Sequence, residues 1–218
     1  MASSSTKIAV GPLPTRARGY LRRLRGHSQA FLRRRSLSVH ALTNPDVPYQ
    51  VVRVTDTYEL RIYAAYYVAT TPYRNREQGI ASLMGYLEGG NERGATFLAT
   101  QPLIMRYVQN PEDTEQTGIY SKTMELSLGE GASDPPLSGI DDVTIKIAGG
   151  ELLAAVPFTG IATPELTARW RESLTNALSA DGLTLAEPGA FRLATYGQLY
   201  SLKPRLNELM LHVKLPEI

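Results

Sequence analysis

Two helical stretches, each bracketed by strand-like segments, limit what this chain can fold into. In the first, Ile80, Leu83, Met84 and Leu87 follow the i, i+3, i+4, i+7 rule and form one apolar stripe. Asn75 stands where an N-cap is needed, Gln78 follows three residues later, and Gly89-Gly90 offer the left-handed stop. The second stretch opens on Thr163-Pro164-Glu165, which supplies a cap, a proline at the first helical position and an acid in the first turn. Leu166, Trp170, Leu174, Ala177 and Leu178 line its apolar side, and Asp181-Gly182 ends it. Neither stripe can stay in water, so each needs a sheet to cover it.

The strands are readable from alternation. Tyr58, Leu60 and Ile62 fall on one face of a strand, with Glu59, Arg61 and Tyr63 on the other. Further strands are expected at 49–54, 66–71, 96–99, 103–108, 118–128, 143–147, 151–158, 191–196 and 206–215. Gly129–Gly139 reads as a long irregular connection. The order strands, helix, strands occurs twice, over about 49–108 and 118–215. This predicts an α+β fold: a pseudo-twofold distorted β-barrel or two-sheet core from two β-α-β repeats, with a helix packed on it from each half. The groove where the halves meet is a natural ligand site.

Charge divides the chain. Residues 1–41 carry nine Lys/Arg and no acid, which leaves fourteen basic against twenty-one acidic residues in the remainder. An Arg-rich, Ser-containing, acid-free opening reads as an organelle transit peptide, with Val39-His40-Ala41 as a small-residue processing site. The Met1-Ala2-Ser3-Ser4-Ser5 start points to a chloroplast, and the Leu/Arg spacing of residues 20–35 to a mitochondrion as the alternative. The domain proper is then 42–218. The competing reading, a basic arm for nucleic acid or anionic membrane, sits poorly beside so acidic a domain, and no nucleic-acid partner is expected. No apolar run approaches the ~20 residues of a membrane span.

With no cysteine, the chain has no disulfide, thiolate nucleophile or Cys-type metal site. It also lacks a Gly-x-Ser-x-Gly elbow, a His-Glu-x-x-His pair and a Gly-Lys-Ser/Thr phosphate loop. Asp141-Asp142 reads as a solvated pair. Of the three histidines, His27 and His40 fall in the basic opening. His212 sits on the strand face opposite Leu209, Leu211 and Val213, a weak candidate for an iron ligand. No catalytic set and no metal set emerge, so the residues by themselves do not make an enzyme.

Five short motifs occur in register: Tyr58-Glu59-x-Arg61-x-Tyr63, Met84-Gly85-Tyr86-Leu87-Glu88-Gly89-Gly90-Asn91, Thr100-Gln101-Pro102, Phe158-Thr159-Gly160-Ile161-Ala162-Thr163 and Leu206-Asn207-Glu208-Leu209. Together they resemble the SOUL family of haem-binding proteins over about residues 48–215. The resemblance implies two helices on a distorted barrel with internal pseudo-symmetry. It also implies binding of haem or another tetrapyrrole in a shallow apolar cleft beside the first helix, with no need of an axial histidine. The helix contacts fall on Ile80 and Met84, so Ile80, Leu83, Met84 and Leu87 are the expected wall. Lys203 is the expected partner of a propionate. Two positions that are basic in relatives hold Glu77 and Gly85 here, and Arg76 or Arg93 could stand in for the lost cation.

Three functions follow as expectations. The first is a protein that buffers, carries or delivers haem in an organelle. The second is a haem dechelatase that removes the iron. The third is a sensor or interaction module, since the architecture is related to bacterial effector-binding domains, with an organellar protein as a possible partner.

Overall fold

The caps anticipated from sequence start both helices in the computed structural model, which describes residues 47, 49–110, 120–129, 132–197 and 205–214. The first helix, α1, spans Arg76–Leu87, and the Asn75 side chain accepts the Glu77 N–H at 2.9 Å. Its cap Glu88 is followed by Gly89 at φ 105°, a left-handed turn that glycine adopts without strain. The second helix, α2, spans Pro164–Ala180, with Thr163 Oγ1 accepting the Leu166 N–H at 3.2 Å.

Nine strands form one antiparallel sheet. In chain order they are β1 (Tyr49–Val54), β2 (Glu59–Tyr63), β3 (Tyr66–Pro72), β4 (Leu103–Gln109), β5 (Tyr120–Ser127), β6 (Thr144–Ala148), β7 (Leu152–Gly160), β8 (Ala190–Thr195) and β9 (Arg205–Val213). Across the sheet the order is β1-β2-β7-β9-β8-β4-β5-β3-β6. The sheet curls into a half-barrel, so the α+β expectation holds, with a single sheet carrying both helices.

The pseudo-twofold is written in that order. Outward from the central β8–β4 pair, β9, β7 and β2 follow on one side, and β5, β3 and β6 on the other. Adding 85 to each number of the Val68–Ser127 pair gives the Leu153–His212 pair, and the same shift relates Ile62–Leu152 to Ile147–Tyr67. The first repeat is therefore β2-β3-α1-β4-β5 and the second β6-β7-α2-β8-β9. Each lends its first strand to the sheet edge of the other. This moves the internal boundary from where periodicity placed it. The strand expected to open the second copy is β5, and it pairs with β3 and β4 of the first.

One expected strand is absent. Residues 96–99 form no ladder, because this segment closes on the end of α1 instead. The Phe97 N–H bonds the Leu87 carbonyl at 2.8 Å, and the Phe97 ring stacks on Tyr86 with centroids 5.7 Å apart.

Both helices lie on one face of the sheet, α1 over β3 and β5, α2 over β7 and β9. That face holds the main core, including Ile80, Leu83, Leu87, Met124, Leu126, Leu174, Leu178, Leu209 and Leu211. Among the described residues, no helix lies over the other face. Its smaller cluster is Val47, Tyr63, Ile104, Leu153, Ala155, Ala194 and Met210, with Tyr49, Tyr66 and Tyr196 packed at its border.

Candidate functional site

On α1 the apolar stripe points inward. Ile80, Leu83 and Leu87 are all buried in the main core, and Leu83 has no exposed surface. Met84, partly buried, is the member of the expected wall that reaches the surface, beside exposed Ala81 and Glu77. Gly85 is explained by packing: a Cβ there would stand 2.9 Å from Ile140 Cδ1. The segment carrying Ile140 covers this part of the helix, and the Tyr86 hydroxyl donates to the Pro136 carbonyl at 2.9 Å. A side chain at position 85 would have to displace the end of the Ile140 side chain. The accessible surface of the helix lies toward its first two turns.

Four of the five sequence motifs converge elsewhere, on the two ends of the β8–β9 connection. Asn207, at the start of β9, donates from Nδ2 to the Gly160 carbonyl at 2.9 Å and to the Arg205 carbonyl at 3.4 Å. Its Oδ1 accepts the Thr195 hydroxyl at 3.2 Å. One amide thereby ties the last residue of β7 to the end of β8 and the start of β9. Gln101 Oε1 accepts the Gly197 N–H at 2.9 Å, just ahead of the cis Gln101–Pro102 bond.

Glu208 completes the anchor on the opposite face. Arg61, only 1% exposed, donates to its two oxygens at 2.7 and 2.9 Å and from Nε to Glu59 Oε2 at 2.8 Å. The Tyr196 hydroxyl donates to Glu208 Oε2 at 2.8 Å. Burial, with the Glu208 charge next, pushes the Tyr196 phenol well above its usual range, so it stays a donor. Tyr49 lies 4.5 Å under the Arg61 guanidinium. A buried guanidinium is tolerated only when its donors are matched, and here two carboxylates and a ring do so. Sequence alone offers Arg61 either Glu59 or an acid on a neighbouring strand as its partner. It could not see Glu208, which lies two strands away across β7.

These anchors fix the two described ends of the β8–β9 connection. Partial burial, and after it the positive charge of Arg76 on the first turn of α1, lower the pKa of the Arg205 guanidinium. Arg93 is committed elsewhere, 2.7 Å from Asp134 in an exposed pair. Lys203 lies outside the described residues, as does the basic opening 1–41. His212 sits on the helix-free face, with Nδ1 3.5 Å from Glu187 Oε1, so the sheet separates it from α1.

A cavity of about 380 Å3 opens at the β3, β5 and β6 end, lined by Tyr66, Tyr67, Ser127 and Ile147 among others. None of the expected wall residues borders it. Among the described residues, no three His, Asp or Glu stand together as a metal site, and no helix is long and apolar enough to cross a membrane.

A tetrapyrrole with carboxylate side chains needs an apolar surface bordered by cations. On α1, Met84 and Ala81 supply apolar surface and Arg76 supplies charge at the start of the helix.

Comparison with known proteins gives the same direction. The family model described as SOUL heme-binding protein matches residues 44–212. No curated protein matches. Among solved structures, the chain is similar to a hydrolase from Listeria innocua at 11% identity, with TM-score 0.54, covering 75% of this chain and 94% of that one. An uncharacterized conserved protein from Listeria innocua is 12% identical with TM-score 0.54, covering 73% and 93%. At such identity these likenesses speak for the fold alone.

Proposed function

The chain belongs to the SOUL heme-binding protein family, and from that premise we propose that it buffers, carries or delivers haem inside an organelle. Haem, or a related tetrapyrrole, lies against the surface of α1 at Met84, beside the anchored ends of the β8–β9 connection. The carrying observation is the convergence of four family motifs on those two ends. Lys203, between β8 and β9 in sequence, is the proposed partner of one carboxylate. Bound haem brings a flat apolar macrocycle, an iron centre and two carboxylates. The protein's part is to cover an apolar flank and to neutralise the carboxylates. At ~25 cal/mol per Å2, covering part of one macrocycle face supplies several kcal/mol before ordering costs, so an iron–protein bond is not required for useful affinity.

Met84→Asp places a carboxylate on this surface and is expected to weaken haemin binding at least tenfold in a Soret titration of the full chain. Unchanged affinity with the fold intact moves the site away from α1. Release of iron-free porphyrin, read by its fluorescence during the same incubation, would favour the dechelatase reading instead.

The acid-free, Arg-rich first 41 residues support import into a chloroplast, with the mitochondrion as alternative. Fusing residues 1–41 to a fluorescent protein is expected to send it into isolated chloroplasts. Retention outside both organelles contradicts the assignment.

A further inference from the structure

We infer that the cavity at the β3, β5 and β6 end is a second binding site, for a neutral, flat molecule with an apolar body and a carbonyl or similar acceptor oxygen. The inference goes beyond the tetrapyrrole reading and does not rest on it, since none of the described residues lining the cavity belongs to α1.

The space is about 380 Å3, inside the range of small-molecule pockets, roughly 300–1,000 Å3. Small residues leave it open: Ala65, Gly129 and Ala132 stand along its border. Its walls are held by bonds that are complete without a guest. The Leu128 N–H bonds the Tyr67 carbonyl at 2.9 Å, the Gly129 N–H bonds Ser127 Oγ at 3.1 Å, and the Ala132 N–H bonds the Gly129 carbonyl at 3.3 Å. Ile147, on the edge strand β6 and 66% exposed, adds apolar surface.

Two phenols remain for a guest. Elsewhere such groups are spent within the fold, Tyr86 on the Pro136 carbonyl and Tyr196 on Glu208. Among the described residues, neither the Tyr66 nor the Tyr67 hydroxyl has a hydrogen-bond partner. Burial, and after it the Glu125 charge, hold the Tyr66 phenol above its usual range, so it stays protonated and able to donate. No carboxylate, ammonium, guanidinium or imidazole occurs among the described lining residues. A charged guest would lose hydration there without gaining a partner.

The opposite half of the fold shows that this arrangement belongs to one repeat. The shift of 85 that relates the repeats matches Tyr66 and Ser127 to Glu151 and His212, and Ile147 to Ile62. At those positions the polar groups are engaged: Glu151 meets Arg192 at 2.5 Å, and His212 Nδ1 stands 3.5 Å from Glu187 Oε1. The same backbone therefore carries paired charges in one half and unpaired phenols in the other.

The test is fluorescence titration of the full chain with Prodan, a neutral flat naphthyl ketone whose emission reports its surroundings. Anilinonaphthalene sulfonate is the charged counterpart. Prodan should saturate a single site and bind more tightly than the sulfonate. The double variant Tyr66→Phe, Tyr67→Phe keeps both rings and should weaken Prodan about fivefold. Ile147→Glu changes an exposed side chain and should weaken it about tenfold or more. Ile62→Glu, at the matching place in the other repeat, should leave it unchanged, and all three variants should keep the wild-type circular dichroism spectrum. Haemin affinity, read at the Soret band, should be the same in Ile147→Glu as in the wild type. Prodan binding that does not saturate overturns the inference, as does wild-type Prodan affinity in the double variant or in Ile147→Glu. Tighter binding of the sulfonate, an equal loss in Ile62→Glu, or a parallel loss of haemin in Ile147→Glu also overturns it. Saturable Prodan binding by a chain that fails to bind haemin supports this site and removes the tetrapyrrole reading alone.

Discussion

Replacing Arg61 with methionine is expected to destabilise the protein by about 3–5 kcal/mol, the usual cost of stripping one partner from a buried ion pair. The guanidinium fills three roles at once. It neutralises Glu59 and Glu208, it satisfies three of their oxygens with bonds of 2.7 to 2.9 Å, and it stacks on Tyr49. Removing it leaves two buried carboxylates facing each other in an apolar setting, and their repulsion adds to their lost solvation. The loss should appear as a lower urea midpoint with an unchanged slope. The same chain with Glu59→Gln and Glu208→Gln added should recover most of the loss, because it carries no uncompensated charge. If Arg61→Met alone costs under about 1 kcal/mol, the network is not closed as described. A functional consequence follows through Tyr196 and Glu208, which hold the two ends of the β8–β9 connection. Haemin affinity of the triple variant should therefore track its stability.

The second large effect separates core from wall on α1. Leu83→Ala is expected to cost about 2–5 kcal/mol, since the side chain is fully enclosed and its removal leaves a cavity beneath the helix. Met84→Ala, one position on, should cost less than about 1.5 kcal/mol, because its thioether is only partly covered. Urea denaturation of the two variants gives the stability order directly. Haemin titration should give the reverse order, with Met84→Ala the more damaging. Equal effects in both assays would mean that the stripe acts as one unit, and the division into a packed face and an open face would be lost.

Much of the architecture was legible because helices and strands announce themselves by period and by caps. Asn75, Thr163 and Pro164 set helix starts that the structure keeps. What the sequence could not convey is exchange between the halves. Periodicity cannot reveal that β2 pairs with β7 or that β6 pairs with β3. The boundary between repeats was therefore drawn one strand too early.

For the site, the same stripe that identified α1 misled about its use. Ile80, Leu83 and Leu87 face the sheet, because an amphipathic helix spends its apolar side on its own core first. Of the accessible residues, Met84 is the stripe's partly buried member and Ala81 lies beside it. Gly85 was read as a missing cation, and only the approach of Ile140 gives the reason for it. Asn207 and Glu208 act as anchors whose partners Gly160, Thr195 and Arg61 lie elsewhere in the sequence, and only the fold brings them together.

The decisive measurement is saturable binding of haemin to the full chain, followed at the Soret band and by Trp170 quenching. A single site of micromolar or tighter affinity, weakened at least tenfold by Met84→Asp, is the predicted result. A featureless titration that does not saturate at tens of micromolar would contradict the proposal that this chain carries a tetrapyrrole on α1.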